Sequence, residues 1–159
     1  MVEPNAGCEK REDARAFEYV TTQKAQAAQG LRMFVVSGVP SPWVEAAKRI
    51  FHAKGVDWLA VYLDPRDPVH ATWAGQTIGP VAFWQGEAPV NTALDMLALA
   101  ERIAPEPALV PQDHADEVRA VVHPFAGRDG LGWCRRAQQV AAGLAGQHRS
   151  GLKRSVGAG

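Results

Sequence analysis

The sequence predicts an α/β fold: a β-α-β unit, a connection, then β-β-α, with a partial all-helical region after it. Three observations carry this expectation. Apolar runs at residues 31–37 and 57–63 are short and partly β-branched, the pattern of buried strands. Between them, Trp43, Ala46, Ala47, Ile50 and Phe51 recur at helical spacing, with Glu45, Lys48 and Arg49 on the other side. A third apolar run, Val81-Ala82-Phe83-Trp84, opens directly after Gly79-Pro80.

Composition supports a real core. A chain of 159 residues with 47% hydrophobic content can build one domain of ordinary size. Lys plus Arg and Asp plus Glu are both 17, so no overall field points to nucleic acid or to an anionic membrane. The first thirty residues carry Glu9, Lys10, Arg11, Glu12, Asp13 and Arg15 without an apolar segment, and no stretch reaches membrane-spanning length. The expected location is therefore the cytoplasm. Cys8 and Cys134 are far apart and form no Cys-x-x-Cys pair, which predicts two free thiols.

In chain order, residues 1–30 read as an N-terminal extension, loosely helical or disordered, with Phe17, Tyr19 and Val20 as its few large apolar groups. The strand at 31–37 is broken by Gly38-Val39-Pro40. The helix at 42–54 starts with Ser41 in the N-cap position and Pro42 in the first turn, and Gly55 sits where a C-terminal cap belongs. Trp58, Leu59, Val61 and Tyr62 lead the next strand, which Asp64-Pro65-Arg66-Asp67-Pro68 ends. Such a strand-helix-strand unit crosses over right-handed and pairs in parallel.

Residues 69–78 read as a long connection. Pro80 is acceptable at the first residue of a strand, and a cis X-Pro bond there would mark a tight turn. Gln85-Gly86-Glu87-Ala88-Pro89 makes a hairpin turn that leaves Val90 as a short edge strand at best. Asn91 or Thr92 then caps a helix patterned on Leu94, Leu97, Ala98 and Ile103, which Pro105-Glu106-Pro107 stops. Residues 31–107 thus form the α/β domain. Residues 108–145 form a partial helical domain, with a helix at 113–122, an interruption at Pro124 and a second helix at 131–144. His148, Arg149, Lys153 and Arg154 lie among Gly and Ser in a stretch, 146–159, read as a disordered tail.

Ser41-Pro42-Trp43 at a helix start, Gly79-Pro80 before a strand and Asn91-Thr92 before a second helix resemble the thioredoxin-like N-terminal domain of glutathione transferases, over about residues 31–105. The resemblance implies a fold, a thioredoxin-like β-α-β-β-β-α domain followed by helices. It also implies a site. Ser41 matches the catalytic Ser or Cys of that family, and Trp43 stands beside it. Pro80 matches the family's cis-proline, whose preceding residue, here Gly79, offers main-chain hydrogen bonds to the cysteinyl part of glutathione. Asn91-Thr92 fall where the family carries an acidic residue followed by Ser, the pair that holds the γ-glutamyl end. Asn91 departs from that pattern by lacking the carboxylate. Glutathione as co-substrate, a small electrophile to be conjugated or reduced, and a homodimer follow as implications, although family members carry a larger helical C-terminal domain.

The chemistry at Ser41 can be stated from first principles. Glutathione's thiol is mostly protonated at neutral pH and the thiolate is the nucleophile, so lowering the thiol pKa gains rate. A hydroxyl hydrogen bond and the positive end of a helix both stabilise the anion. One pKa unit is worth about 1.4 kcal/mol and a helix end supplies roughly 0.3–1 kcal/mol, so the two together shift the thiol by about one to two units. Simpler roles stand beside these. Ser41 and Thr92 are also good N-caps. Trp58, Trp84 and Trp133 sit at packing positions, while Trp73 lies in the connection and is free to stack on a ligand. His52, His70, His114, His123 and His148 show no ligand spacing, so no metal is expected. Ser41 is not followed by a cysteine, which argues against dithiol redox chemistry. The alternative to an enzyme is a non-catalytic binding or interaction module on the same fold.

Overall fold

The structure, a computed structural model, describes residues 17–36, 41–127 and 129–155, with residues 146–155 as backbone alone. Its strands are β1 (Glu18–Tyr19), β2 (Leu31–Val35), β3 (Trp58–Tyr62) and β4 (Val81–Trp84). Its α-helices are α1 (Thr22–Ala27), α2 (Pro42–Ala53), α3 (Pro68–Ala74), α4 (Ala93–Ile103), α5 (Ala115–Ala126) and α6 (Leu131–Ser155), with a 3-10 turn at Gln112–His114 before α5. The strands form one sheet in the order β1-β3-β2-β4. β3 runs parallel to both β1 and β2, as a helical crossover from β2 requires, and β4 runs antiparallel to β2. Val90 adds a single antiparallel bridge to Ala82, so the hairpin closes on one residue pair.

Strand alternation divides the core in two. Leu31, Met33 and Val35 of β2 point to one face and pack with Val44, Ala47 and Phe51 of α2 and Met96, Leu99 and Ala100 of α4. Phe34 points to the other face and packs with Ala25 of α1, Ala74 of α3 and Val81 and Phe83 of β4. All five β2 residues are buried because helices cover both sides of this strand. The α2 helix ends in a Schellman arrangement. Gly55, at φ 65°, donates to the His52 carbonyl at 3.0 Å, and Val56 donates to the Phe51 carbonyl at 3.0 Å.

Four features differ from the sequence expectation. The end of the N-terminal extension is part of the fold: β1 pairs with β3, the Phe17 ring stacks on Trp58 at 4.4 Å, and Val20 donates to the Ala60 carbonyl at 2.9 Å. Those few apolar residues cover a sheet edge that would otherwise stay open. The 69–78 connection contains α3, whose start is set by Asp67 accepting from the Val69 N–H at 2.8 Å and by Pro68 in the first turn. Gly75, at φ 66°, ends it. In α4 the buried stripe is Met96, Leu99 and Ala100 with Ile103 beside it, rather than one built on Leu94, Leu97 and Ala98. The stripe at 96, 99, 100 and 103 has the better i, i+3, i+4, i+7 spacing, and spacing outweighs leucine content.

The C-terminal helices are the fourth difference. α5 continues through Pro124 to Ala126, and α6 runs on to Ser155 in place of a disordered tail from residue 146. The turn between them depends on Gly130, where a β-carbon would come 2.8 Å from the Pro124 carbonyl oxygen. No residue of α5 is buried, and Val121, Phe125, Leu131, Val140 and Leu144 are exposed. Cys8, the Gly38-Val39-Pro40 break and residues 156–159 lie outside the described residues. Among the described residues no helix is long and apolar enough to cross a membrane.

His70 is the main polar link on the α1–α3 side. The Asp64 main-chain N–H donates to His70 Nδ1 at 3.1 Å, which puts the ring proton on Nε2, where it donates to the Thr22 hydroxyl at 2.7 Å. Thr92 is the N-cap of α4 and its hydroxyl accepts from the Asp95 N–H at 3.1 Å. Thr92→Ala is expected to cost about 1 kcal/mol in denaturant unfolding, with Thr92→Ser restoring most of it.

Candidate functional site

The outer half of α2 faces a cleft of about 1120 Å³, closed on the opposite side by α6 and the end of α5. The apolar stripe of α2 is split. Val44 and Phe51 are buried in the core, Trp43 and Ala46 line the cleft, and Ala47 and Ile50 meet both. Helix α6 comes close because Gly132 has no side chain: a β-carbon there would sit 3.2 Å from Cζ2 of Trp43. The Trp43 and Trp133 rings meet at 5.1 Å between centroids, inclined by 42°.

Ser41 stands at one end of this cleft. It is the N-cap of α2, with φ −90° and ψ 122°, and its carbonyl accepts the Glu45 N–H at 2.9 Å. Its hydroxyl makes no capping bond to the helix. The side chain is therefore half-buried at the positive end of a twelve-residue helix without being used by that helix.

Gly79 and Pro80 also line the cleft, and the bond between them is cis. Pro80 is buried at the mouth of β4, where a proline removes no ladder donor that the sheet needs. Asn91 lines the cleft too, and its side-chain amide donates to the Gln76 side-chain oxygen. Thr92 is not part of the lining. Its hydroxyl donates to the Asp95 carboxylate at 2.6 Å besides accepting from the Asp95 N–H, so it faces its own helix. Of the residues expected at a site, the structure brings Ser41, Trp43, Gly79, Pro80 and Asn91 together and leaves Thr92 outside.

Two expectations about aromatic and polar residues change. Trp73, expected to be free to stack on a ligand, is packed against Phe83 at 4.2 Å and edge-on to Phe34 at 5.2 Å, so it is a half-buried residue of α3 packed against the core. Trp133, expected to be a packing residue, lines the cleft. Arg135, Arg136 and Gln139 of α6 line it as well, and no carboxylate does among the described residues. No sequence signal marks these α6 residues, because only the docking of α6 over α2 aims them inward. Among the described residues no group of three or more His, Cys, Asp or Glu side chains converges on a point that could hold a metal. Cys134 is free and exposed.

A parallel β-α-β unit, an antiparallel strand after Pro80 and trailing helices across a cleft match the fold of solved glutathione transferases, a thioredoxin-like sheet with a helical C-terminal region. Solved structures agree with this assignment. A glutathione transferase homologue from Sulfitobacter, determined with bound glutathione, superposes with a TM-score of 0.53 at 16% identity, over 60% of this chain and 48% of that one. Glutathione transferase Omega 3C from Trametes versicolor gives a TM-score of 0.53 at 20% identity, over 64% of this chain and 47% of that one. The chain thus spans about half the length of the solved structures it matches. No family model matches the sequence, and no curated protein does.

Proposed function

We propose that the cleft binds glutathione with its sulfur at Ser41 and stabilises the thiolate for attack on a small electrophile. The observation that carries this reading is Ser41, a cleft-lining residue at the positive end of α2 whose hydroxyl is not consumed by capping. A hydroxyl in that position donates to a sulfur anion, and the unpaired N–H groups of the first turn add their partial charge. Gly79 and Pro80 present main chain to the cysteinyl part, Trp43 packs beside it, and Asn91 meets the γ-glutamyl end with an amide in place of a carboxylate. Thr92 supports the site by capping α4, which holds Asn91 in place.

The reaction balances simply. The thiol proton passes to water, the sulfur forms a bond to the electrophilic carbon, and the leaving group departs with the bonding pair. For reduction of a peroxide the same thiolate attacks one oxygen, the O–O bond breaks and water or an alcohol leaves, and the thiol of a second glutathione displaces the sulfenate oxygen as water to give glutathione disulfide.

The test is a pH titration of thiolate absorbance with glutathione bound, for the wild type and Ser41→Ala. The expected result is a bound thiol about one to two pKa units below free glutathione in the wild type, a shift largely absent from the variant. Conjugation at neutral pH should fall by about 10- to 100-fold in the variant, while calorimetric glutathione affinity stays within a few-fold. Equal rates would remove Ser41 from the mechanism. A folded wild type that binds no glutathione at millimolar concentration would instead favour a non-catalytic module.

A further inference from the structure

The charge of the cleft is one-sided. Among the described residues its only charged lining residues are Arg135 and Arg136, one turn into α6, and no Asp or Glu joins them. Neither guanidinium pairs with a carboxylate among those residues. Apart from Gln139, the rest of the α6 side is apolar and aromatic. Trp43 and Trp133 meet at 5.1 Å, with Ile50 and Phe125 also lining the space. The helix end at Ser41 adds a second positive element to the same cavity.

We infer that the second substrate of this cleft is a ring-bearing organic acid, its apolar body against Trp43, Trp133, Ile50 and Phe125 and its carboxylate on Arg135 and Arg136. Flat aromatic walls favour a planar apolar body, because ring-on-ring contact buries large area with defined geometry. Guanidinium groups suit a carboxylate, since each offers paired N–H donors in the plane a carboxylate presents. A cavity that among the described residues carries two cations and no anion also raises the local concentration of an anionic ligand and disfavours a cationic one. The inference rests on the reading of this cleft as a substrate site. It adds the chemical class of the partner that meets the thiolate.

A carboxylate at these arginines has two sources, the second substrate or glutathione itself, and the experiment separates them. Calorimetry with 2-naphthoate and with its neutral isostere 2-naphthamide is run on the wild type and on the double variant Arg135→Gln, Arg136→Gln, without glutathione. Glutathione affinity is measured separately on both proteins. Both arginines are exposed, so the variant keeps the fold, which circular dichroism checks. The expected result is naphthoate bound about tenfold or more tighter than naphthamide by the wild type, a preference that shrinks with added salt and is lost in the variant. Naphthamide affinity and glutathione affinity should be unchanged by the substitutions. Equal binding of the two probes by the wild type, or a preference that survives in the variant, overturns the inference. So does a variant that loses glutathione affinity while keeping the naphthoate preference, because the arginines would then hold the tripeptide. Absence of glutathione binding with an intact naphthoate preference would fail the proposed activity and leave the organic-acid site standing.

Discussion

Lys54→Ala is expected to lower the unfolding free energy by about 3 kcal/mol, read from denaturant midpoints at constant slope. The Lys54 side chain is 0% exposed at the end of α2, where its ammonium lies 3.0 Å from Glu101 Oε1 of α4. It also donates to the carbonyls of Pro105 at 3.1 Å and Pro107 at 2.7 Å. Glu101 Oε1 accepts in turn from the main-chain N–H groups of Leu109 at 2.7 Å and Val110 at 3.2 Å. One buried cation thus ties the sheet-packing helices to the segment that leads into α5. Removing it takes the shared donor from two carbonyls and a carboxylate, and breaking a buried pair from one side typically costs about 3–5 kcal/mol. Glu101 is still 23% exposed and can recover some water, which places the expectation at the lower end. Lys54→Met, which keeps the packing of the stem, should recover only a minor part. A loss under about 1 kcal/mol in both variants would refute this account.

The same cluster predicts an acid limb. Burial pushes the Glu101 carboxyl upward, but the Lys54 ammonium and the N–H groups of Leu109 and Val110 outweigh it and hold the carboxyl below its ordinary value. A depressed carboxyl contributes stability in full above the ordinary glutamate range, about 4.3, and loses it as pH falls through the folded value. Unfolding midpoints should therefore drop below about pH 4.5 in the wild type, and the drop should be shallower in Lys54→Ala.

Phe34→Ala should cost about 4 kcal/mol, in the usual range for an aromatic side chain deleted from a core. The ring is fully buried on the α1–α3 face of the sheet, 5.2 Å from Phe83, 5.2 Å from Trp73 and 4.7 Å from His70. Those neighbours come from β4 and α3, so the cavity lies between elements that cannot collapse onto it without moving a strand. Phe34→Leu, which fills part of the volume, should lose much less. A fall of under about 2 kcal/mol for the alanine variant would show that the site relaxes more than this packing implies.

Elements governed by short-range physics are legible in the order of residues along the chain. The β2-α2-β3 unit follows from strand runs, a helical stripe and end signals at Ser41-Pro42 and Gly55, all within reach of one another in sequence. The start of α3 is equally present in Asp67-Pro68, but seven residues carry too little periodicity to outweigh the loop-like composition around them. The strand at Glu18–Tyr19 is hidden for a different reason. Two residues have no pattern of their own, and they are extended because β3 offers a free edge.

What the order of residues settles in this protein is local chemistry: a serine and a proline at a helix start, a proline at a strand mouth, and caps at Asp67 and Thr92, because those are contests among neighbours on the chain. What these residues face is settled only by packing in three dimensions. Packing leaves the Ser41 hydroxyl free of its helix while Thr92 turns toward Asp95, lays Trp73 against the core and Trp133 along the cleft, and aims Arg135 and Arg136 at a space bounded by α2. Helix periodicity says which residues share a face. Only the docking of one helix on another, here permitted by Gly132 against Trp43, says what that face meets.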